Sequence, residues 1–284
     1  MTPLWQSDRP PPRNDRPKAG GIARALVRGV PLVVLVFCTL AVLLLLRQIE
    51  RPVFGQRRPW TPHLTQFVCV NSLRLIGIRL VVQGDVAPSH GAVVANHSSW
   101  LDIFVLNAAK RIYFVSKSEV AGWFGIGWLA RATGTVFIER DPRHARAQRD
   151  LLRQRLDLGH KLMFFPEGTS TDGLQVLPFK STLFQALFTS AAPDLTVQPV
   201  TVHYRAPAGA DRRFYGWWGD MEFGPHLIHL LAARRHGSVT VTYHPPLLVA
   251  DFPDRKALAL ACFGPVAEGL RRQSADAPAG DDAP

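Results

Sequence analysis

The sequence predicts an α/β domain with a largely parallel, mixed central sheet flanked by helices, preceded by an N-terminal membrane-associated segment of two helices. Three observations carry this reading. An uncharged apolar run, VPLVVLVFCTLAVLLLL, extends from Val30 to Leu46. The next patterned stretch, TPHLTQFVCVNSLRLIGIRL, places apolar residues three and four apart, as one face of a helix requires. From about residue 80, short apolar runs alternate with longer helical patterns, the arrangement of parallel strands joined by helical crossovers.

The chain divides accordingly. Residues 1–20 are rich in Pro and Arg, and residues 273–284 form a polar tail; both lack apolar anchors and are expected to be disordered, the first as a basic N-terminus. A membrane-anchoring helical segment spans 21–79, and the α/β domain spans 80–272. The 17-residue apolar run sits at the lower edge of what crosses a bilayer as a helix. Arg9, Arg13, Arg16, Lys18, Arg24 and Arg28 precede it, while Arg47, Arg51, Arg57 and Arg58 follow it, so flanking charge does not orient the chain. The run continues into Arg-Gln-Ile-Glu rather than a small-x-small cleavage site, which favours an anchor or re-entrant hairpin over a signal peptide. The second helix suits the membrane interface or an ordinary core position equally well.

Within the α/β domain the apolar runs place strands at 80–83, 92–96, 112–116, 135–139, 162–166, 196–202 and 239–243. Helices are expected near 100–109, 119–131, 143–158, 178–190, 221–235 and 255–272.

Composition narrows the function. The 284 residues are 47% hydrophobic, ample for a core, and carry a formal net charge of +11 with a pI near 10.3. Such charge points to an anionic partner: nucleic acid, a membrane surface or a phosphorylated substrate. The basic residues are scattered and no nucleic-acid recognition motif appears, so a membrane partner is expected and a nucleic-acid partner is not. Cys38, Cys69 and Cys262 have no disulfide or metal spacing and read as small packing residues in a reducing compartment. A metal-dependent hydrolase built on His97 and Asp102 would need further ligands, and no histidine-rich set is evident.

The candidate chemistry begins in VVANHSSWLD, residues 93–102. Of the ten histidines, only His97 is followed by Asp five positions later. If His97 lies in the loop before a helix and Asp102 in its first turn, the imidazole folds back onto the carboxylate. One ring nitrogen is then fixed and the other is left as a base. The alternative is structural, because Ser99 and Asp102 also have capping-box spacing. In LMFFPEGTSTDG, Glu167 stands at a strand end and Gly168 permits an unusual backbone angle. In GTVFIERD, Glu139 and Arg140 end another strand. The carboxyl ends of parallel strands line the ligand crevice of an open sheet, so His97, Arg140 and Glu167 are expected to converge. Lys180, at the start of the predicted 178–190 helix, would add a cation beside that helix's N-terminus.

These segments resemble the four blocks of the glycerolipid acyltransferases: NHSSWLD, GTVFIERD, FPEGTS and VQPVTV around Pro199, over roughly residues 80–205. The chain is most similar to the 1-acyl-sn-glycerol-3-phosphate, or lysophosphatidic acid, acyltransferases. The resemblance implies His97 as base, Asp102 as its orienter, and acceptor binding by Arg140, Glu167 and Gly168; Lys180, read from its position alone, would be a further substrate-binding cation. It implies transfer of a fatty acyl group from acyl-CoA or acyl-carrier protein to the sn-2 hydroxyl, giving phosphatidic acid, with no metal or other cofactor. The family often has Arg after F-P-E-G-T, where this chain has Ser170, so another lysolipid acceptor, such as lyso-ornithine lipid, stands as the alternative. A bacterial inner membrane with the catalytic domain on the cytoplasmic side is the implied location. Trp123, Trp128, Trp217 and Trp218 suit a membrane interface, an acyl tunnel or plain core packing.

Overall fold

The computed structural model describes residues 5–12, 17–87, 91–123, 125–139, 142–189, 192 and 194–275. Arg140 and most of the polar tail lie outside the described residues. A helix α1, Ala19–Phe54, includes the whole apolar run and is long and apolar enough to cross a membrane. Val27, Val30, Leu45 and Val53 are among its exposed apolar side chains. The helix α2, Thr61–Ile76, packs back along it. The buried Glu50 carboxylate joins them, accepting from the Trp60 and Thr61 N–H groups at 2.8 and 3.1 Å and from the Thr61 hydroxyl at 2.8 Å. The two backbone N–H groups are among the orphan donors of a helix N-terminus, so Glu50 caps α2 from the preceding helix.

The domain that follows contains β1 (Arg79–Gln83), β2 (Gly91–Ala95), α3 (Leu101–Ala109), β3 (Tyr113–Lys117), α4 (Ile126–Thr133), β4 (Val136–Ile138), α5 (Ala145–Asp157) and β5 (Lys161–Phe164). It continues through β6 (Thr196–Arg205), α6 (Phe223–Ala232), β7 (Ser238–Tyr243), β8 (Leu247–Leu248) and α7 (Arg255–Ala275). The sheet order is β1-β7-β6-β2-β5-β3-β4, with β8 paired to β6. β6 runs antiparallel to β7 and β8, and the remaining pairings are parallel. The predicted mixed, mostly parallel sheet is therefore the one observed.

Strand alternation divides the core into two layers. Val93, Ala95, Met163, Val200 and Val202 face a cluster with Leu101, Leu106, Ile76 and Leu230 from the helices on one side. Ala92, Val94, Leu162, Phe164 and Val197 face Leu156, Leu258 and Cys262 on the other. A strand buried on both faces reads as a continuous apolar run, which explains the segment Ala92–Ala95.

Two predicted helices differ. The 119–131 pattern is divided into a 3-10 turn, Ser118–Gly122, and α4, with Gly125 at φ 71° between them; that positive φ breaks an α-helix. Over 178–190 there is no α-helix, only a 3-10 stretch at Leu183–Thr189, behind Pro178 and the turn-favouring Ser181 and Thr182. Lys180 thus sits in coil, without the helix N-terminus expected beside it. In the N-terminal segment expected to be disordered, residues 5–12 contact the domain. Trp5 meets Trp218 edge-on at 6.3 Å, the Ser7 hydroxyl donates to Asp172 and Arg213 donates to the Pro10 carbonyl.

The end of β2 is fixed by Asn96. Its amide donates to the Val202 carbonyl at 2.9 Å and accepts from the Val202 N–H at 2.8 Å, both buried. This side-chain pair continues the β2–β6 ladder one residue past Ala95 and sets where His97 emerges. Asn96→Ala leaves both Val202 groups unpaired, and the expected loss in urea-unfolding stability is about 1–3 kcal/mol; an unchanged midpoint would show that Asn96 does not hold this strand end.

Candidate active site

His97 and Asp102 meet at the carboxyl end of β2. The His97 Nδ1 and Asp102 Oδ2 atoms are 2.7 Å apart, with the carboxylate fully buried and the imidazole 21% exposed. The same Oδ2 accepts the Ser98 and Ser99 N–H groups at 2.9 and 3.1 Å, while Oδ1 accepts the Tyr204 hydroxyl at 2.7 Å. The two readings of Asp102 left open by the spacing are therefore both realised in one carboxylate: it holds the turn before α3 and also holds the imidazole. With Nδ1–H donated to Asp102, Nε2 carries the lone pair that can accept a proton. The ring stacks on Phe165, with centroids 4.0 Å apart and planes 13° apart. Burial and the facing Asp102 push the Tyr204 phenol well above its ordinary range, so it stays a donor.

The neighbouring strand β5 supplies Glu167, two residues past Phe165. Glu167 is 1% exposed and does not present its carboxyl to the crevice. Its oxygens accept the His97 N–H and the Leu177 N–H, each at 2.7 Å. The loop after it is tied back, since the Thr171 N–H donates to the His97 carbonyl at 2.9 Å. Both backbone groups of His97 are thus gripped by the Phe165–Leu177 segment. Gly168 has φ 74°, which an L side chain rarely adopts, and this turn lets the chain reverse over Glu167. Burial foremost, with Asp102 adding to it, pushes the Glu167 carboxyl up to about 8, against the opposing pull of its two N–H donors and Lys180.

Of the three strand ends expected to converge, two can be followed. β2 and β5 are adjacent and bring His97 and Glu167 together, whereas β4 lies at the sheet edge and Arg140 lies outside the described residues. Glu139, at the end of β4, pairs with His144 at 2.6 Å in the open. Lys180 is exposed, and its backbone N–H donates to the Pro166 carbonyl. Ser170 is buried beside the His97 loop. Of the tryptophans, Trp123 and Trp128 are exposed, while Trp218 is core. Tyr204 and Phe165 were missed. The signal for Tyr204 was present, because extending the β6 alternation past Val200 and Val202 puts residue 204 on the same face.

A family model described as Acyltransferase matches residues 79–203. A Rhodobacter capsulatus protein named lyso-ornithine lipid O-acyltransferase is 54% identical, over 96% of this chain and 99% of its own. One of the same name from Brucella abortus is 37% identical, over 70% of this chain and 79% of its own. The crystal structure of the 1-acyl-sn-glycerophosphate acyltransferase from Thermotoga maritima superposes with a TM-score of 0.56 at 20% identity, covering 87% of this chain and 98% of the other. The last shows a shared fold. The chain belongs to the acyltransferase family.

The raised Glu167 value sets a pH dependence. Between the ordinary 4.5 and about 8, the folded protein holds a proton that the unfolded chain has released. This contribution to stability is therefore complete at low pH and is lost as pH rises through about 8. Melting temperatures measured from pH 5 to 9 should fall across that window, and Glu167→Gln should remove this component of the slope. If Glu167 instead contacted the acceptor, the substitution would raise KM with the pH–stability curve unchanged.

Proposed function

We propose that this member of the acyltransferase family is a lysolipid O-acyltransferase whose acceptor is lyso-ornithine lipid. The observation that supports the reaction class is the His97–Asp102 pair at an open strand end. His97 Nε2 takes the proton of the acceptor hydroxyl as its oxygen attacks the thioester carbonyl. Asp102 stabilises the imidazolium that forms, and the proton passes to the departing thiolate. The acceptor is itself the nucleophile, so no acyl-enzyme is required. Tyr204, the Ser98 and Ser99 N–H groups and Phe165 hold the pair in register.

The acceptor assignment rests on the relatives that match over most of their length, which carry the lyso-ornithine name, and on the head-group side of the site. A phosphate head group favours several cations. The position after F-P-E-G-T holds Ser170, buried, and Lys180 is exposed in coil. An ornithine head group, with one ammonium and one carboxylate, makes less demand for positive charge. Transfer to 1-acyl-sn-glycerol-3-phosphate, giving phosphatidic acid, is the second reading, supported by the four sequence blocks, with Arg140 as the head-group cation. In either case the donor is acyl-CoA or acyl-carrier protein. With α1 associated with the bilayer and the donors in the cytoplasm, the domain works at the cytoplasmic face of the membrane, where lysolipid and thioester meet.

Purified protein given both lysolipids and both donors, with products read by mass spectrometry, should acylate lyso-ornithine lipid with the higher kcat/KM. A preference for lysophosphatidic acid would establish the second reading. His97→Ala should abolish transfer with either acceptor, and Asp102→Asn should lower kcat about 10²–10⁴-fold. Near-normal turnover by His97→Ala would contradict the mechanism.

A further inference from the structure

At the opposite edge of the sheet from His97, the amino-terminal ends of β3 and β5 face the α1–α2 connection across a cavity of about 440 Å³. Its lining includes Arg57, Arg58, His63, Arg111, Tyr113 and His160, and no acidic residue among the described ones. Glu50, the acid whose charge reaches Arg58, is already occupied by Arg47 and the start of α2. The Arg58 guanidinium packs so closely on Gly134 (φ 87°) that a Cβ there would come within 2.9 Å of Arg58 Cζ, and it donates to the Ala132 carbonyl. Arg155 stands behind it, donating to the Gly134 carbonyl.

His160 supplies the independent observation. The ring is 6% exposed and stacks on Tyr113 with centroids 4.3 Å apart. Its Nδ1 lies 2.6 Å from the Arg155 Nε. A guanidinium only donates, so Nδ1 is the acceptor and the ring proton sits on Nε2. Burial, together with Arg155 and Arg58, pushes the His160 pKa down to about 3, so the ring holds this single proton at neutral pH. The Nε2 atom is buried and has no hydrogen-bond partner among the described residues. An unpaired buried donor is costly, and this one belongs to a ring lining a cavity with three arginines. The charge of those three arginines favours an anion as the cavity's occupant.

We propose that this cavity binds a phosphate group, as a monoester, diester or free anion, through His160 Nε2–H and the guanidinium groups of Arg57, Arg58 and Arg111. Donors arriving from the α1–α2 connection, the start of β3 and the start of β5 suit a tetrahedral anion with several acceptor oxygens better than a planar carboxylate. The cavity opens just past the apolar part of α1, so a lipid phosphodiester and a soluble phosphate both have access. The site is separate from His97 and does not depend on which lysolipid is acylated.

Full-length protein in neutral detergent would be melted with increasing inorganic phosphate against chloride at equal ionic strength. In parallel, protein would be extracted from nanodiscs of equal phosphatidylglycerol and phosphatidylcholine for native mass spectrometry. We expect a saturable rise in melting temperature, selective retention of phosphatidylglycerol, or both. The first alone identifies a soluble phosphate and the second alone a lipid head group. The Arg57→Ala, Arg111→Ala double variant changes two exposed side chains and should weaken the response roughly tenfold or more, as should His160→Phe. If His160→Phe does not fold, the double variant decides. No saturable response in either arm, an adventitious ion only, or a response that the double variant leaves unchanged would overturn the proposal.

Discussion

The candidate site depends on one constraint, the need of a fully buried carboxylate for partners. An ionised Asp102 without donors would cost several kcal/mol to bury. Here four donors converge on it: His97 Nδ1, two successive backbone N–H groups and the Tyr204 hydroxyl. These come from the turn after β2 and from the end of β6, so satisfying the charge requires that the turn, the first residues of α3 and a separate strand be assembled together. The imidazole is one of the ligands of that charge, and its orientation follows from the folding of the rest.

Around this centre the backbone of His97 is fixed from outside. Glu167 accepts its N–H, Thr171 donates to its carbonyl and Phe165 stacks on its ring. All three come from the segment following β5, the parallel neighbour of β2. The segment that carries the F-P-E-G block therefore holds His97 through both backbone groups and the ring. Glu167, which the strand-end argument placed in the acceptor crevice, is buried beneath it. A buried carboxyl bonded to two backbone N–H groups is a means of positioning a loop, and its elevated affinity for a proton is a by-product of that burial.

The sequence made much of this legible because the central strands are buried on both faces and announce themselves as apolar runs. His97 and Asp102 were readable from their five-residue spacing. For Tyr204 the β6 alternation gave only the face of the sheet; its partner Asp102 lies about a hundred positions away, and no local pattern encodes that pairing. The helix expected over 178–190 failed for a local reason: Pro178, Ser181 and Thr182 favour turns, and the apolar residues behind them pack as a 3-10 stretch. The partner of His160 Nδ1 was equally invisible, since Arg155 reads as one more charge on an exposed helix until α5 is seen to turn it inward.

The claim that Asp102 fixes the imidazole in one tautomer is testable without substrate. In protein labelled with ¹⁵N-histidine at neutral pH, the His97 signals can be identified by their loss in His97→Gln. The account predicts a protonated Nδ1 and an unprotonated Nε2, with that preference lost in Asp102→Asn. A wild-type ring carrying its proton on Nε2, or exchanging freely between the two nitrogens, would contradict it.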